Sequence, residues 1–354
     1  MESEANCKLD IKSMTLPELQ AELATLSLPK YKATQIYRWL HQRGVVRFEE
    51  MSDQSKATRE LLSERYEITT AVIERKQVSA LDNTVKYLFS LPGGDCVESV
   101  LMQYHHGYSI CISTQVGCRM GCTFCATGMS GFLRNLKPSE MLAQIQAAQR
   151  EENIRISNVV LMGMGEPLDN YENVLHFLEL VSSDEGLNIG MRHISLSTCG
   201  IVDKIYDLAD RKLQLTLSVS LHAPNNTIRS RTMPINRKWG VDTLLKACRY
   251  YSKTTGRRIS FEYAMISGVS DSDDCARELA KKLKGTLSHV NLIPVNNVTG
   301  NDYRKSDGQR LKRFCKILND SGVTATVRRT LGSDIDASCG QLRRRHREEV
   351  AEWK

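Results

Sequence analysis

The chain has no apolar run long enough to cross a bilayer, and its opening residues, Met1-Glu2-Ser3-Glu4, lack the apolar core of a secretion signal. Both absences point away from a membrane-embedded or exported protein and make the cytosol the expected compartment, with no membrane partner. Internal repeats and low-complexity stretches are also missing, which argues against a solenoid or a disordered linker protein. A balanced set of cysteine pairs is lacking too. The eleven cysteines are an odd number in a long chain of 354 residues, a poor match to a disulfide framework. Metal or redox chemistry for some of them, and buried thiols for the rest, is the better expectation.

What is present is ordinary for a globular protein: 41% hydrophobic and 25% charged residues, enough for one large domain and a small accessory one. A net charge of +7 leans only weakly toward a polyanionic partner. Residues 1–78 read as a small helical domain. Leu16, Leu19, Leu23 and Leu26 recur at helical spacing, and Tyr37, Trp39 and Leu40 belong to a second helix. Its basic residues Lys30, Lys32, Arg38 and Arg43 suit RNA contact or simple solvation equally. From about 82 to 114 the period becomes two, and Pro92-Gly93-Gly94-Asp95 between two strand-like runs predicts a hairpin. Beyond it, short apolar strands alternate with amphipathic helices through residue 345. This predicts an α/β fold, a partial (β/α)6 barrel with a β-hairpin extension over residues 79–345, followed by a basic tail at 346–354.

The strongest local signal follows the first barrel strand. In Cys118-Arg-Met-Gly-Cys122-Thr-Phe-Cys125 the Cys-x3-Cys-x2-Cys spacing puts three thiolates on one tight loop, which Gly117 and Gly121 allow to curl. Three thiolates on a 4Fe-4S cube leave one iron open for a substrate or cofactor. Zinc is the rival, but a structural zinc wants a fourth ligand, usually as a second spaced pair, and none follows.

A Cys-x3-Cys-x2-Cys loop after the first strand of a partial barrel resembles the radical SAM superfamily, and more narrowly the RlmN/Cfr family of radical SAM rRNA methyltransferases. The likeness runs through Gln115-Val-Gly-Cys118, Gly163-Met-Gly-Glu-Pro-Leu168, Ser220-Leu-His-Ala-Pro-Asn225, Met233-Pro-Ile-Asn236, His289-Val-Asn-Leu-Ile-Pro294, Asp334-Ile-Asp-Ala-Ser-Cys-Gly-Gln-Leu342 and, in the helical domain, Lys32-Ala-Thr-Gln-Ile-Tyr-Arg-Trp-Leu40. It implies that Cys118, Cys122 and Cys125 hold one 4Fe-4S cluster. Gly165, Glu166, Ser197, Ser220, Leu221, His222 and Asn296 are then expected to bind S-adenosylmethionine (SAM). The glycines near Glu166 are read as room for close backbone approach, and the Glu166 carboxylate as an acceptor for the SAM ammonium. Taken singly, Ser197, Ser220, His222 and Asn296 each read better as a strand cap or a buried hydrogen bond; as a set on one barrel face, matched to the family's positions, they read as a SAM site.

The resemblance also implies the chemistry. Carbon 2 of adenine is electrophilic, so a methyl cation cannot be delivered there, and two SAM molecules are used per turnover. Cys339 takes a methyl group from one. The other is cleaved reductively at the cluster, and the radical formed activates the methyl on Cys339 for addition to the ring. Glu98 accepts the ring proton, and Cys111 releases the product by attacking the sulfur of Cys339, leaving a transient disulfide. The implied substrates are 23S rRNA and tRNA, with a cellular electron donor such as flavodoxin and a monomer as the expected state. A Cfr-type carbon-8 methyltransferase is the alternative; Pro167 after Gly-Glu, and Val116 where that type carries Cys, favour carbon 2. Arg328, Arg329, Arg343, Arg344, Arg345 and Arg347 are candidates for RNA phosphates. Cys248 and Cys315 read as core fillers, and Cys7, Cys96, Cys199 and Cys275 carry no assignment.

Overall fold

The computed structural model describes residues 8–295, 302–335 and 342–343. Helices α1 (Leu16–Ala24), α2 (Lys30–His41) and α3 (Lys56–Arg65) open the fold, tied at their ends by the parallel pair β1 (Leu9–Asp10) and β2 (Tyr66–Glu67). A capping box starts α1: Glu18 N–H donates to the Thr15 hydroxyl, and Thr15 N–H donates to the Glu18 carboxylate.

One ten-stranded sheet holds the rest together, in the order β14-β13-β12-β11-β10-β9-β6-β5-β4-β3. β3 (Val72–Val78), β4 (Val85–Ser90) and β5 (Cys96–Tyr104) form an antiparallel meander added to β6 (Gly107–Cys111). β3 already belongs to this sheet, so the sheet begins at Val72, ahead of the division expected at residue 78. From β6 onward every pairing is parallel, through β9 (Ile156–Leu161), β10 (Ile194–Thr198), β11 (Thr216–Ser220), β12 (Ile259–Met265), β13 (Ser288–Pro294) and β14 (Ala325–Val327). Crossovers are made by α5 (Pro138–Glu152), α6 (Tyr171–Ser182), α7 (Val202–Asp210), α9 (Val241–Thr255), α10 (Asp273–Leu283) and α11 (Gly308–Asp320). These are the six β/α units expected, with β14 as a short extra strand at the edge. Between them lie a ribbon of β7 (Gln115–Gly117) and β8 (Phe132–Asn135) and the short helices α4 (Ala126–Met129) and α8 (Asn226–Thr232).

Strand alternation sorts the side chains of this sheet. Leu196, Leu217, Val219, Phe261, Tyr263, Val290 and Leu292 are buried on the face that the crossover helices cover. The opposite face is polar. In register across it run Ser197 and Ser218, Ser218 and Ser260, Ser220 and Glu262, and Glu262 and Asn291. Continuing the other way, Ser195 pairs Val160, Val160 pairs Cys111, and Cys111 pairs Val100, so Cys111 and Glu98 share this face.

The helical domain packs on α5 and α6. Gln146 donates to Leu40 O at 2.8 Å, and Arg150 to Gly44 O at 2.9 Å. At this junction His41 is fully buried, stacked on Tyr37 at 4.1 Å, and among the described residues neither ring nitrogen has a partner. Burial, with Lys12 nearby, pushes its pKa down to about 3. Because the folded value lies below the unfolded one, the unfolded chain binds the proton first, and stability drains away as pH falls from about 6.5 toward 3. His41→Phe keeps the stack and removes the orphaned nitrogens. It is expected to raise stability by about 1 kcal/mol or more at neutral pH, with a gain that widens on acidification. Denaturant melts at pH 7.5 and 5.0 check both the size and the trend.

Candidate active site

The cluster loop is built by the β7–β8 ribbon. At Gly117 the backbone has φ +84°, and a Cβ there would fall 2.0 Å from Gly131 O, so only glycine lets the two strands close. Cys118 N–H then donates to Gly131 O at 2.8 Å, and Cys125 N–H to Cys122 O at 3.1 Å. Cys118 is buried, and Cys122 and Cys125 are half-buried. Burial is the main force on the first two thiols, pushing Cys118 up to about 12 and Cys122 higher still, with the neighbouring loop thiols adding to it. A metal must therefore displace protons to be taken up here. Among the described residues no three His, Cys, Asp or Glu side chains converge on a point that could hold one metal ion. Thiolates sharing a single zinc must meet within about 4 Å of each other, from Zn–S bonds near 2.3 Å. Three thiolates on one tight loop are the donor set that a 4Fe-4S cluster with one open iron takes.

The glycines ahead of Glu166 serve packing. A Cβ on Gly163 would lie 2.5 Å from Ile112 O, and one on Gly165 (φ +105°) would lie 2.7 Å from Gln115 Cβ. Their bareness lets the turn after β9 press on the strand leading into the cluster loop. Glu166 is fully buried. Its carboxylate accepts from Leu168 N–H at 3.0 Å and Cys199 N–H at 2.7 Å, while Glu166 N–H donates to Gln115 Oε1 at 2.8 Å. Desolvation still pushes its pKa up, against these hydrogen bonds. Glu166 thus locks the ends of β9 and β10 beside the cluster loop, with the Thr198 and Cys199 side chains also bonded to its carboxylate.

Ser197 and Ser220 lie half-buried on the polar face. Leu221 is buried with its side chain in the apolar core, and its N–H donates to Glu262 O at 3.1 Å. His222 turns left-handed (φ +56°), and its Nδ1 accepts from Ala264 N–H at 2.9 Å. That bond puts the ring proton on Nε2. Burial, with Arg229 nearby, holds its pKa near 3, so the ring is a neutral donor. Its edge meets Phe124 of the cluster loop, centroids 4.9 Å apart.

Glu98 is buried, with Oε2 at 2.7 Å from Lys86 Nζ, also fully buried, and Oε1 accepting from Arg343 N–H at 2.6 Å. Cys111 is a buried cysteine at the end of β6; opposite Val100, it is a diagonal neighbour of Glu98. Arg343, expected at RNA phosphates, is buried instead, whereas Arg328 and Arg329 are exposed. Cys339, Asn296, Cys7, Arg344, Arg345 and Arg347 lie outside the described residues. Cys248 is a core residue as expected, and Cys315 packs partly buried against the core.

Several residues of this region went unread in the sequence. Glu262 bridges Ser260 at 3.1 Å and Asn291 at 2.9 Å, and burial raises its pKa. Gln144 spans Ser99 and both backbone groups of Ser113. The available signal was the polar residue at every second position of β10 to β13.

A parallel half-barrel with a three-thiolate loop after its first strand and a buried carboxylate after the second defines a radical SAM enzyme. The family model described as the Radical SAM superfamily matches residues 112–283, and that of the ribosomal RNA large subunit methyltransferase N-terminal domain matches residues 9–68. The chain is 51% identical over 337 residues to the probable dual-specificity RNA methyltransferase RlmN of Clostridium novyi (strain NT), covering 95% of this chain and 98% of that one. It is 50% identical over 339 residues to the protein of the same name from Alkaliphilus oremlandii (strain OhILAs), covering 96% and 98%. The crystal structure of a radical SAM methyltransferase from Sphaerobacter thermophilus superposes with a TM-score of 0.90 at 43% identity, covering 94% of this chain and 98% of that one. The chain belongs to the RlmN family of radical SAM RNA methyltransferases.

Proposed function

We propose that the protein methylates carbon 2 of an adenine in 23S rRNA, and of an adenine beside the anticodon in tRNA, consuming two SAM molecules per turnover. The single observation that carries this reading is the shared polar face on which Cys111 and the ion-paired Glu98 are diagonal neighbours, one strand turn from the cluster loop. Loaded with its cluster and SAM at Cys118, Cys122 and Cys125, the site supplies a carbon-centred radical able to take hydrogen from a methyl group.

The protein's own groups do the rest. Cys339 is the methyl-carrying nucleophile. Glu98 accepts the ring proton, and its burial beside Lys86 keeps water from competing for it. Cys111 attacks the Cys339 sulfur to free the product, and thiol reductants reopen the disulfide. Glu166, Ser197, Ser220, His222 and Asn296 hold SAM, with Gly165 and Leu221 contributing backbone. The helical unit, ahead of the sheet that begins at Val72, presents RNA to the catalytic domain; the target base leaves its stack to reach the buried face, and the tail at 346–354 meets phosphate. An electron donor of the flavodoxin kind reduces the cluster of a monomeric, cytosolic enzyme.

Nucleoside mass spectrometry of rRNA and tRNA, after expression in a host lacking its own enzyme, tests this directly. The expected product is 2-methyladenosine in both RNAs; 8-methyladenosine would replace the carbon-2 assignment with carbon 8.

A further inference from the structure

Arg229, on α8, is a large side chain with no solvent exposure at all. Its guanidinium has five N–H donors. They go to Leu221 O at 3.0 Å, Asn236 Oδ1 at 3.1 Å, Trp239 O at 3.4 Å, Cys199 O at 2.6 Å and Ser220 O at 3.2 Å. Every acceptor is neutral, and among the described residues no carboxylate pairs with this charge. A guanidinium does not shed its proton in a protein, and a buried charge without a counter-ion is costly. The arrangement makes sense if an anion belongs beside it.

The element next to it is the cluster loop. Thr123, between two of the cluster cysteines, donates its N–H at 3.0 Å to Thr232 O at the end of α8. Gly121 lies against Pro234 just beyond. Phe124 meets His222, the residue after the carbonyls that Arg229 holds.

We propose that Arg229 is the fixed counter-charge of the iron–sulfur cluster, raising its reduction potential while its fork ties the strand ends of the SAM pocket. The proposal rests on the cluster reading of the loop. A 4Fe-4S core on three thiolates is anionic and gains one more negative charge on reduction. A buried cation on α8, the helix that bonds the cluster loop at Thr123, therefore stabilises the reduced form most, and the electron is accepted from a weaker donor. Arg229 is a positioning residue in this sense: it acts through the cluster and the backbone.

EPR-monitored redox titration of the anaerobically reconstituted enzyme separates charge from shape. Arg229→Gln should lower the midpoint by at least a tenfold change in the reduced-to-oxidised ratio, about 59 mV for one electron. Arg229→Lys, which keeps charge and loses the fork, should stay within threefold of wild type. An unchanged midpoint in the Gln variant, or equal shifts in both, overturns the proposal. If the Gln variant takes up no iron, the Lys variant decides: normal loading and midpoint support a charge role, and loss of loading assigns Arg229 to architecture alone. Iron and sulfide content of the wild type is read first; a wild type that binds no cluster overturns the cluster reading rather than the role of Arg229.

Discussion

Replacing Cys111 with Ala is expected to leave RNA covalently fixed to the enzyme through Cys339 and to cut released methyl product on the order of 10²–10⁴-fold, the range for one positioned catalytic group. Cys111 ends β6 on the polar face, buried, with Val100 and Val160 as its register partners. An alanine fits there without disturbing either neighbour, so the fold is expected to persist. What is lost is the only step that breaks the bond between the Cys339 sulfur and the methyl-derived carbon. Denaturing gels should show a protein–RNA adduct that survives dithiothreitol, because the link is carbon–sulfur and not a disulfide. The double replacement Cys111→Ala, Cys339→Ala should give no adduct, since the methyl carrier is gone. Free methylated RNA from the single variant would refute the disulfide-forming step.

How much of this was legible in the sequence depends on what each residue type could reveal. The hairpin of β4 and β5 was readable because Pro92-Gly93-Gly94-Asp95 is turn chemistry between two period-two runs. The six crossover units were readable because outward positions such as Leu217 and Val219 are apolar and the helices are amphipathic. The three-residue β7 and four-residue β8 were not, since runs that short carry no periodicity and are defined by each other. The seven-residue α8 escaped for the same reason, and with it Arg229, which looks like a surface arginine until its carbonyl partners are known. Gly163 and Gly165 were seen as a motif, but their packing was not, because sequence gives no hint that Ile112 and Gln115 lie against them. Glu98 could have been a solvated strand residue. Only the register of β4 on β5 brings Lys86 onto its face and makes it a buried acid.

That pair carries the second large effect. Lys86 and Glu98 are both essentially without solvent exposure, 2.7 Å apart, and a buried charge deprived of its partner costs about 3–5 kcal/mol. Lys86→Met is therefore expected to destabilise the enzyme by about that amount, seen as a lower midpoint in urea. Replacing both members by apolar residues is often neutral or better, so Lys86→Met with Glu98→Leu should recover most of the loss. Activity should not follow stability. Lys86 holds the Glu98 carboxylate in place as the proton acceptor, so the single variant should stall after carbon–carbon bond formation. The double variant, stable again but lacking the acceptor, should stall at the same point and accumulate the same RNA adduct. Recovery of methyl product along with stability in the double variant would remove Glu98 from the reaction and leave the pair a purely structural clasp between β4 and β5.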